Sequence, residues 1–260
     1  MKLAKLFVTI FVLSIKREIA FRANLAISSV QALVTTGAGL ATIGVVYHQT
    51  DELVGWSLGE ALVLLGTFQI VTGLLMTFIE PNVQWFAQSV ATGQLDEKLL
   101  KPVSSLFLAS LGTHAPFGLV QALLGVGLVI AGQREIGNAT GLSNIGGWLA
   151  MLLVSLAIAW ATRVGLAIIA LWMPALELGV VYHAVWQFAR YPVAIYGQPL
   201  RFALTWVLPL TLISTAPATA LARGIPWPTF LIAAGISFVG IALVQRLWTL
   251  GLRRYTSATS

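Results

Sequence analysis

The sequence predicts an all-α integral membrane protein, and three observations carry that prediction. Charged residues make up 9% of the 260 positions and hydrophobic residues 58%, whereas a soluble domain carries roughly 25% charged residues. Mean hydropathy is +0.88, so lipid rather than water solvates most of the chain. The apolar stretches are long and continuous and do not alternate with a period of two. In hydrocarbon every backbone polar group needs an internal partner, which helices and closed barrels provide. Long unbroken runs select helices.

The net charge of +6 would suggest nucleic acid in a soluble protein. Here the basic residues cluster at the ends of apolar runs, where membrane orientation puts them, and no nucleic-acid partner is expected. The chain has no cysteine, which excludes thiol chemistry and Cys-ligated metals.

The N-terminal segment 1–22 holds Lys2, Lys5, Lys16, Arg17 and Arg22 around the short run Leu6 to Ile15. A spanning helix needs about 20 apolar residues, so this run reads as an amphipathic interfacial helix. A signal peptide is the competing reading, but Lys16-Arg17-Glu18 stands where a cleavage site belongs. The first span is expected at 23–47 and the second at 57–79, closed by Glu80-Pro81. A polar stretch covers 80–105, and a third span follows at 106–132. The loop 133–146 contains the sequon Asn138-Ala139-Thr140, a pattern common by chance.

Arg163, Arg190 and Arg201, with Pro174, Pro192, Pro199, Pro209 and Pro217, interrupt 147–222. A fourth span at 147–163 and a fifth at 165–189 are expected, with Arg163 in the turn between them. Residues 193–222 then form a re-entrant helical hairpin, because short apolar pieces divided by prolines cannot all cross as straight helices. The rival reading makes 147–173 one span and 202–222 another. The last span covers 227–250, the permease domain 23–250, and the tail 251–260. Six spans with both termini cytoplasmic put eleven Lys and Arg residues inside against four outside, as the positive-inside rule asks. The rival topology satisfies that rule slightly better.

No catalytic constellation stands out. His48, His114 and His183 fall in separate segments without metal-ligand spacing. No Walker-type loop or Gly-x-Ser-x-Gly elbow occurs, so no cofactor is expected on this chain. Glu177, within the expected fifth span, is a candidate intramembrane polar site, because a charge at that depth faces a cavity or a partner; the blander reading is a helix contact. Glu60 is expected at the outer boundary in solvent. Trp56, Trp148 and Trp227 read as interfacial anchors. Gly37 and Gly44 offer a close helix approach on the first span.

The polar stretch 80–105 is the informative part. From Pro81 to Gly93 it reads as a short amphipathic helix with Val83, Phe86, Ala87 and Val90 on one face and Gly93 as its C-terminal cap. Gln84 lies within it, and Leu95, Asp96, Leu99, Leu100, Pro102 and Val103 follow. The pattern Gly-x-Leu-Asp-x-x-Leu-Leu-x-Pro-Val resembles the loop between the second and third spans of ABC-2 type transporter permeases, in the branch whose permeases are separate subunits about this long. Phe188-Ala189-Arg190-Tyr191-Pro192-Val193-Ala194-Ile195-Tyr196, then Leu200-Arg201 and Leu208-Pro209, resembles the segment after the fifth span, where related permeases carry a re-entrant hairpin on the outer side.

That resemblance implies two paired permease subunits, alike or related, above two separate ATP-binding cassette ATPase subunits that hold the ATP and Mg. It implies that the helix over 83–92 is a coupling helix and the N-terminal helix a connecting helix. The protein is then an exporter subunit of the plasma (inner) membrane rather than an enzyme. Its coupling residues are Val83, Gln84, Phe86, Ala87, Val90, Gly93, Leu95, Asp96, Leu99, Leu100 and Pro102. A secondary transporter or channel is the alternative, but no convincing repeat relates the two halves.

Overall fold

The computed structural model describes residues 2–137, 141–173 and 178–255. Helix α1 (Lys2–Ala20) meets α2 (Arg22–Tyr47) at Phe21, whose backbone leaves the helical region. A short hairpin follows, β1 (Glu52–Leu53) paired antiparallel with β2 (Trp56–Ser57). Its turn residues Val54 and Gly55 both have positive φ, the backbone a two-residue hairpin with the natural strand twist requires. Helix α3 (Leu58–Phe78) starts from a capping box in which Ser57 and Glu60 satisfy each other's backbone amides. Four short helices cluster after it: α4 (Glu80–Val83), α5 (Phe86–Ala91), α6 (Leu95–Leu99) and α7 (Ser105–Leu111).

Helix α8 (Gly118–Ile136) closes at Gly137, which is left-handed. Helix α9 (Leu142–Ile168) continues through one tighter turn, Ile169–Leu171, and α10 (Leu178–Trp186) runs into a similar turn, Gln187–Arg190. After α11 (Gln198–Phe202) the coil widens over Ala203–Val207. It widens again over Thr211–Thr215 before α12 (Ala216–Arg223). Pro209 lies between the two wide segments and has no amide to donate, and Leu208 before it is pushed out of the helical region. The two limbs are bent by 71°. Helix α13 (Trp227–Arg254) ends the described chain.

Among the described residues, five helices are long and apolar enough to cross a membrane: Ala23–Tyr47, Leu58–Phe78, Gly118–Ile136, Leu142–Leu171 and Trp227–Arg254; the bent pair makes a sixth if it counts as one span. They differ in what surrounds them. Of the most apolar stretch of α3, 72% is buried inside the molecule, against 22% for α2 and 11% for α13. Helix α3 is therefore the hub, and α2 and α13 keep most of their surface for lipid or another chain.

The hub is held by glycine. Gly59, Gly66 and Gly73 of α3 face Gly132, Gly125 and Gly118 of the antiparallel α8. A Cβ on Gly66 would stand 2.6 Å from the carbonyl oxygen of Gly125, and one on Gly125 would stand 2.6 Å from that of Gly66. The spacing of seven keeps all three on one face, and backbone meets backbone. Gln69 of α3 adds a buried polar link, donating to Thr36 Oγ1 on α2 at 2.6 Å and accepting from Gln121 Nε2 on α8 at 2.8 Å.

Several expected boundaries change. The third span does not begin at 106: α7 stops at Gly112, and the crossing helix starts only at Gly118. No turn separates a fourth from a fifth span at 163–165, because α9 runs unbroken from Leu142 to Ile168. Nothing in Arg163-Val164-Gly165 ends a helix, since one arginine with a partner is tolerated mid-helix. Gly37 and Gly44 meet nothing within 4 Å, so the close approach belongs to α3 and α8 instead. The sequon and Glu177 lie outside the described residues.

Candidate functional site: the loop-bearing end of the bundle

Helices α4 to α7 cap one end of the bundle. The expected single helix over 83–92 is two pieces, because Trp85 (φ −106, ψ 13) breaks the coil between α4 and α5. Gly93 takes the left-handed conformation (φ 75) of a helix cap, as expected. The apolar face points inward. Val83, Phe86, Val90 and Leu95 are buried in the main core, with Ala87 and Leu99 half-buried against it. Phe86 packs on Trp248 of α13, ring centroids 6.0 Å apart, and Trp248 Nε1 donates to Ser105 Oγ at 3.1 Å. Helix α5 also rests on Ile169–Leu171. The outward surface carries Gln84, Trp85 at 61% exposure, Leu100 at 86%, and Pro102. Asp96 is half-buried and sits against Tyr255, whose hydroxyl pKa burial and the Asp96 contact push up.

Arg163 clamps this end to the bundle. Its Nε donates to Glu80 Oε1 at 2.6 Å and its Nη2 to Glu80 Oε2, a bidentate ion pair between α9 and α4. The Arg163 side chain is 6% exposed, and its guanidinium lies 4.9 Å over the Tyr182 ring of α10. Arg163 is thus a mid-helix clamp and not the turn residue expected. The charge pattern signalled that a partner was needed, but 83 residues separate the two.

A cavity of about 950 Å³ opens beside the clamp. Its walls come from the nearby end of α3, from α4 and α5, from α9 and from α10; Thr72, Met76, Trp85, Leu166 and Trp186 are among the lining residues. His183 also lines it, while His114 lies outside. His114 is buried under α1, against Phe7, Phe11 and Phe78, and accepts from Arg17 Nη2 through its carbonyl at 3.1 Å. Burial pushes its imidazole pKa down.

At the opposite end, Arg223 of α12 holds Glu60 in a second bidentate pair, 2.6 Å and 2.7 Å, and stacks on Trp56. Glu60 is therefore partnered and not free in solvent, and Trp56, at 6% exposure, is a packed residue and not an interfacial anchor. Trp148 is half-buried with Nε1 on Thr67, while Trp227 stays exposed. Asn144 Nδ2 donates to the Leu221 carbonyl at 3.4 Å, which puts the end of α12 beside the start of α9. Arg190 lies 5.7 Å over the Phe68 ring, near the middle of α3. Among the described residues, no group of His, Cys, Asp or Glu side chains is arranged to hold a metal ion.

No curated protein and no solved structure matches the chain. The family described as ABC-2 family transporter protein matches residues 33–259, which take in the glycine-packed hub, both bidentate pairs and the whole loop-bearing end. The chain belongs to the ABC-2 family of transporter proteins and is a multi-pass membrane permease.

Proposed function

We propose that this permease is the membrane subunit of an exporter and that separate ATPase subunits drive it from the loop-bearing end, which faces the cytoplasm. The observation that carries the reading is the division of the loop into two faces. Its apolar face is anchored in the protein's own core, while Trp85 and Leu100, two large apolar side chains, remain exposed. Protein interfaces take their affinity from a few such anchors. The coupling surface is therefore centred on Gln84, Trp85, Leu100 and Pro102, with Val83, Phe86, Val90 and Leu95 holding it to the bundle. Helix α1, packed through Phe7 and Phe11 on Phe78, is the interfacial connecting helix beside it.

The same reading has six crossings and a re-entrant pair. The segment from α10 to Pro192 runs from the Arg163 clamp to a notch beside Tyr47 and Leu53 at the other end, which supports a fifth crossing that closes near Pro192. The limb Gln198–Val207 then leads into the 71° bend, and α12 ends beside Glu60 at Arg223. Ten residues of helix rise about 15 Å, half a membrane. A second permease, identical or related, completes the translocation path, and the bare surface of α2 is compatible with such a neighbour.

Trp85→Ala with Leu100→Ser tests the coupling surface. The double variant is expected to keep the wild-type thermal midpoint while its ATPase partner binds about tenfold or more weakly and transport falls in parallel. Unchanged binding and transport would remove Trp85 and Leu100 from the interface.

A further inference from the structure

The cavity beside the clamp falls in the size range of small-molecule sites, roughly 300–1,000 Å³. Leu75, Met76, Leu166 and Ala170 give it an apolar wall, and Glu80, Gln84, Gln88 and His183 give it a polar one. The charges on the polar wall are unevenly presented. Both engaged donors of Arg163 are on Glu80, and the arginine side chain is 6% exposed against 25% for the glutamate. Both side chains line the cavity, and the carboxylate presents more of its surface than the guanidinium it neutralises. Gln84, Gln88 and His183 are all exposed. Among the described residues this polar wall offers the Glu80 carboxylate as a pure acceptor, amide and imidazole groups that both accept and donate, and an arginine already engaged by Glu80. Trp85 belongs to the cavity wall and also to the outward face of the loop.

We infer that the cavity is a binding site for a single-chain amphiphile whose head group donates hydrogen bonds, an amine or a hydroxyl, with its alkyl chain along Leu75, Met76 and Leu166. Its occupancy is read at the coupling surface through the shared residue Trp85. The geometry makes the two events one linkage: a ligand that fixes Trp85 from inside changes how the same side chain meets a partner outside, and the partner changes ligand affinity by the same factor. The link to the partner rests on the coupling surface proposed above; the site itself does not.

The test uses the permease with its ATPase in lipid nanodiscs, photolabelled with dodecylamine carrying a chain diazirine. Label is expected on peptides containing 72–76 and 163–170. Dodecylamine and dodecanol should compete about tenfold better than dodecanoate at equal free concentration. Ala167→Trp and, at an exposed wall position, Gln88→Trp fill the cavity and should each abolish this labelling, while Leu153→Trp on the lipid-facing side of α9 should leave it intact. Labelling confined to lipid-facing positions, unchanged in both filled variants, or competed equally by dodecanoate would overturn the site or its ligand class. Dodecylamine is also expected to change the ATPase rate about twofold or more, and Trp85→Ala to abolish that response. Labelling as expected with an unresponsive ATPase overturns the link and leaves the site. No labelling, with Trp85→Ala still weakening ATPase binding, overturns the site and leaves the coupling surface.

Discussion

Glu80 and Arg163 show what a buried charge asks of its neighbours. Alone in a low-dielectric interior, either would be costly, and together in a bidentate geometry they satisfy each other. Removing one partner leaves the other stranded. Glu80→Gln or Arg163→Met is therefore expected to cost about 3–5 kcal/mol, while Glu80→Leu combined with Arg163→Met recovers most of it. Denaturant unfolding in detergent checks this, and a double variant as weak as the singles would contradict the stranded-charge account. Glu60 and Arg223 make the same contact at the other end, but Arg223 is 45% exposed. Water already solvates it, so Glu60→Gln, which leaves that arginine behind and keeps the capping box, should cost about 1 kcal/mol or less. His114 carries a pH dependence. Burial depresses its pKa, so the unfolded chain binds a proton that the folded chain refuses. The stability is present above the unfolded value of about 6.5 and is lost as pH falls below it toward the folded value. His114→Gln keeps a donor for the Leu111 carbonyl and should flatten the fall in thermal midpoint between pH 7.5 and pH 5.5. An equally steep fall in the variant would assign the dependence elsewhere.

Among the elements, α3 and α8 form the most closely packed pair. Its glycines bring two backbones together where a single methyl would stand 2.5–2.9 Å from opposing atoms. Gly66→Val or Gly125→Val must push the helices apart, and a loss of about 3 kcal/mol is expected, in line with overpacking of a tight core. Gly37→Ala and Gly44→Ala on α2 meet open space and should stay within about 0.5 kcal/mol of wild type. Measuring the four variants side by side separates glycine used for approach from glycine merely present. That close packing bears on function. Residues 80–117 hang between these two helices, so a push on the loop moves α3 and α8 together, and with them the Gln69 link to α2.

For the whole molecule, the bend at Pro209 decides the topology. A chain without cysteine lets single introduced cysteines report sidedness cleanly. Gln198→Cys and Gly224→Cys are expected to react with an impermeant maleimide on intact cells, and Gln84→Cys only after permeabilisation. Reaction of Gln198→Cys only after permeabilisation would make the bent pair a true crossing. The loop-bearing end is one packed unit, with the proposed coupling surface outside, the core contacts of Phe86 and Val90 beneath, and the cavity and the Arg163 clamp alongside.

Membrane residence, helical class and the family were legible in the sequence, because they depend on composition, on the period of the apolar pattern and on local motifs. Local signals of one residue also held, such as the left-handed cap at Gly93 and the break at Pro209. The face that a short helix buries was not legible. Val83, Phe86 and Val90 fall on one side of a helical projection, but only the presence of Trp248 and Leu171 from distant segments turns that side inward and leaves Trp85 and Leu100 outside. The partners of Arg163 and of Gly66 were hidden for the same reason. A charge announces that it needs a counter-ion and a glycine that it permits approach, but what each one meets is chosen by helices tens of residues away, and only the tertiary structure brings those together.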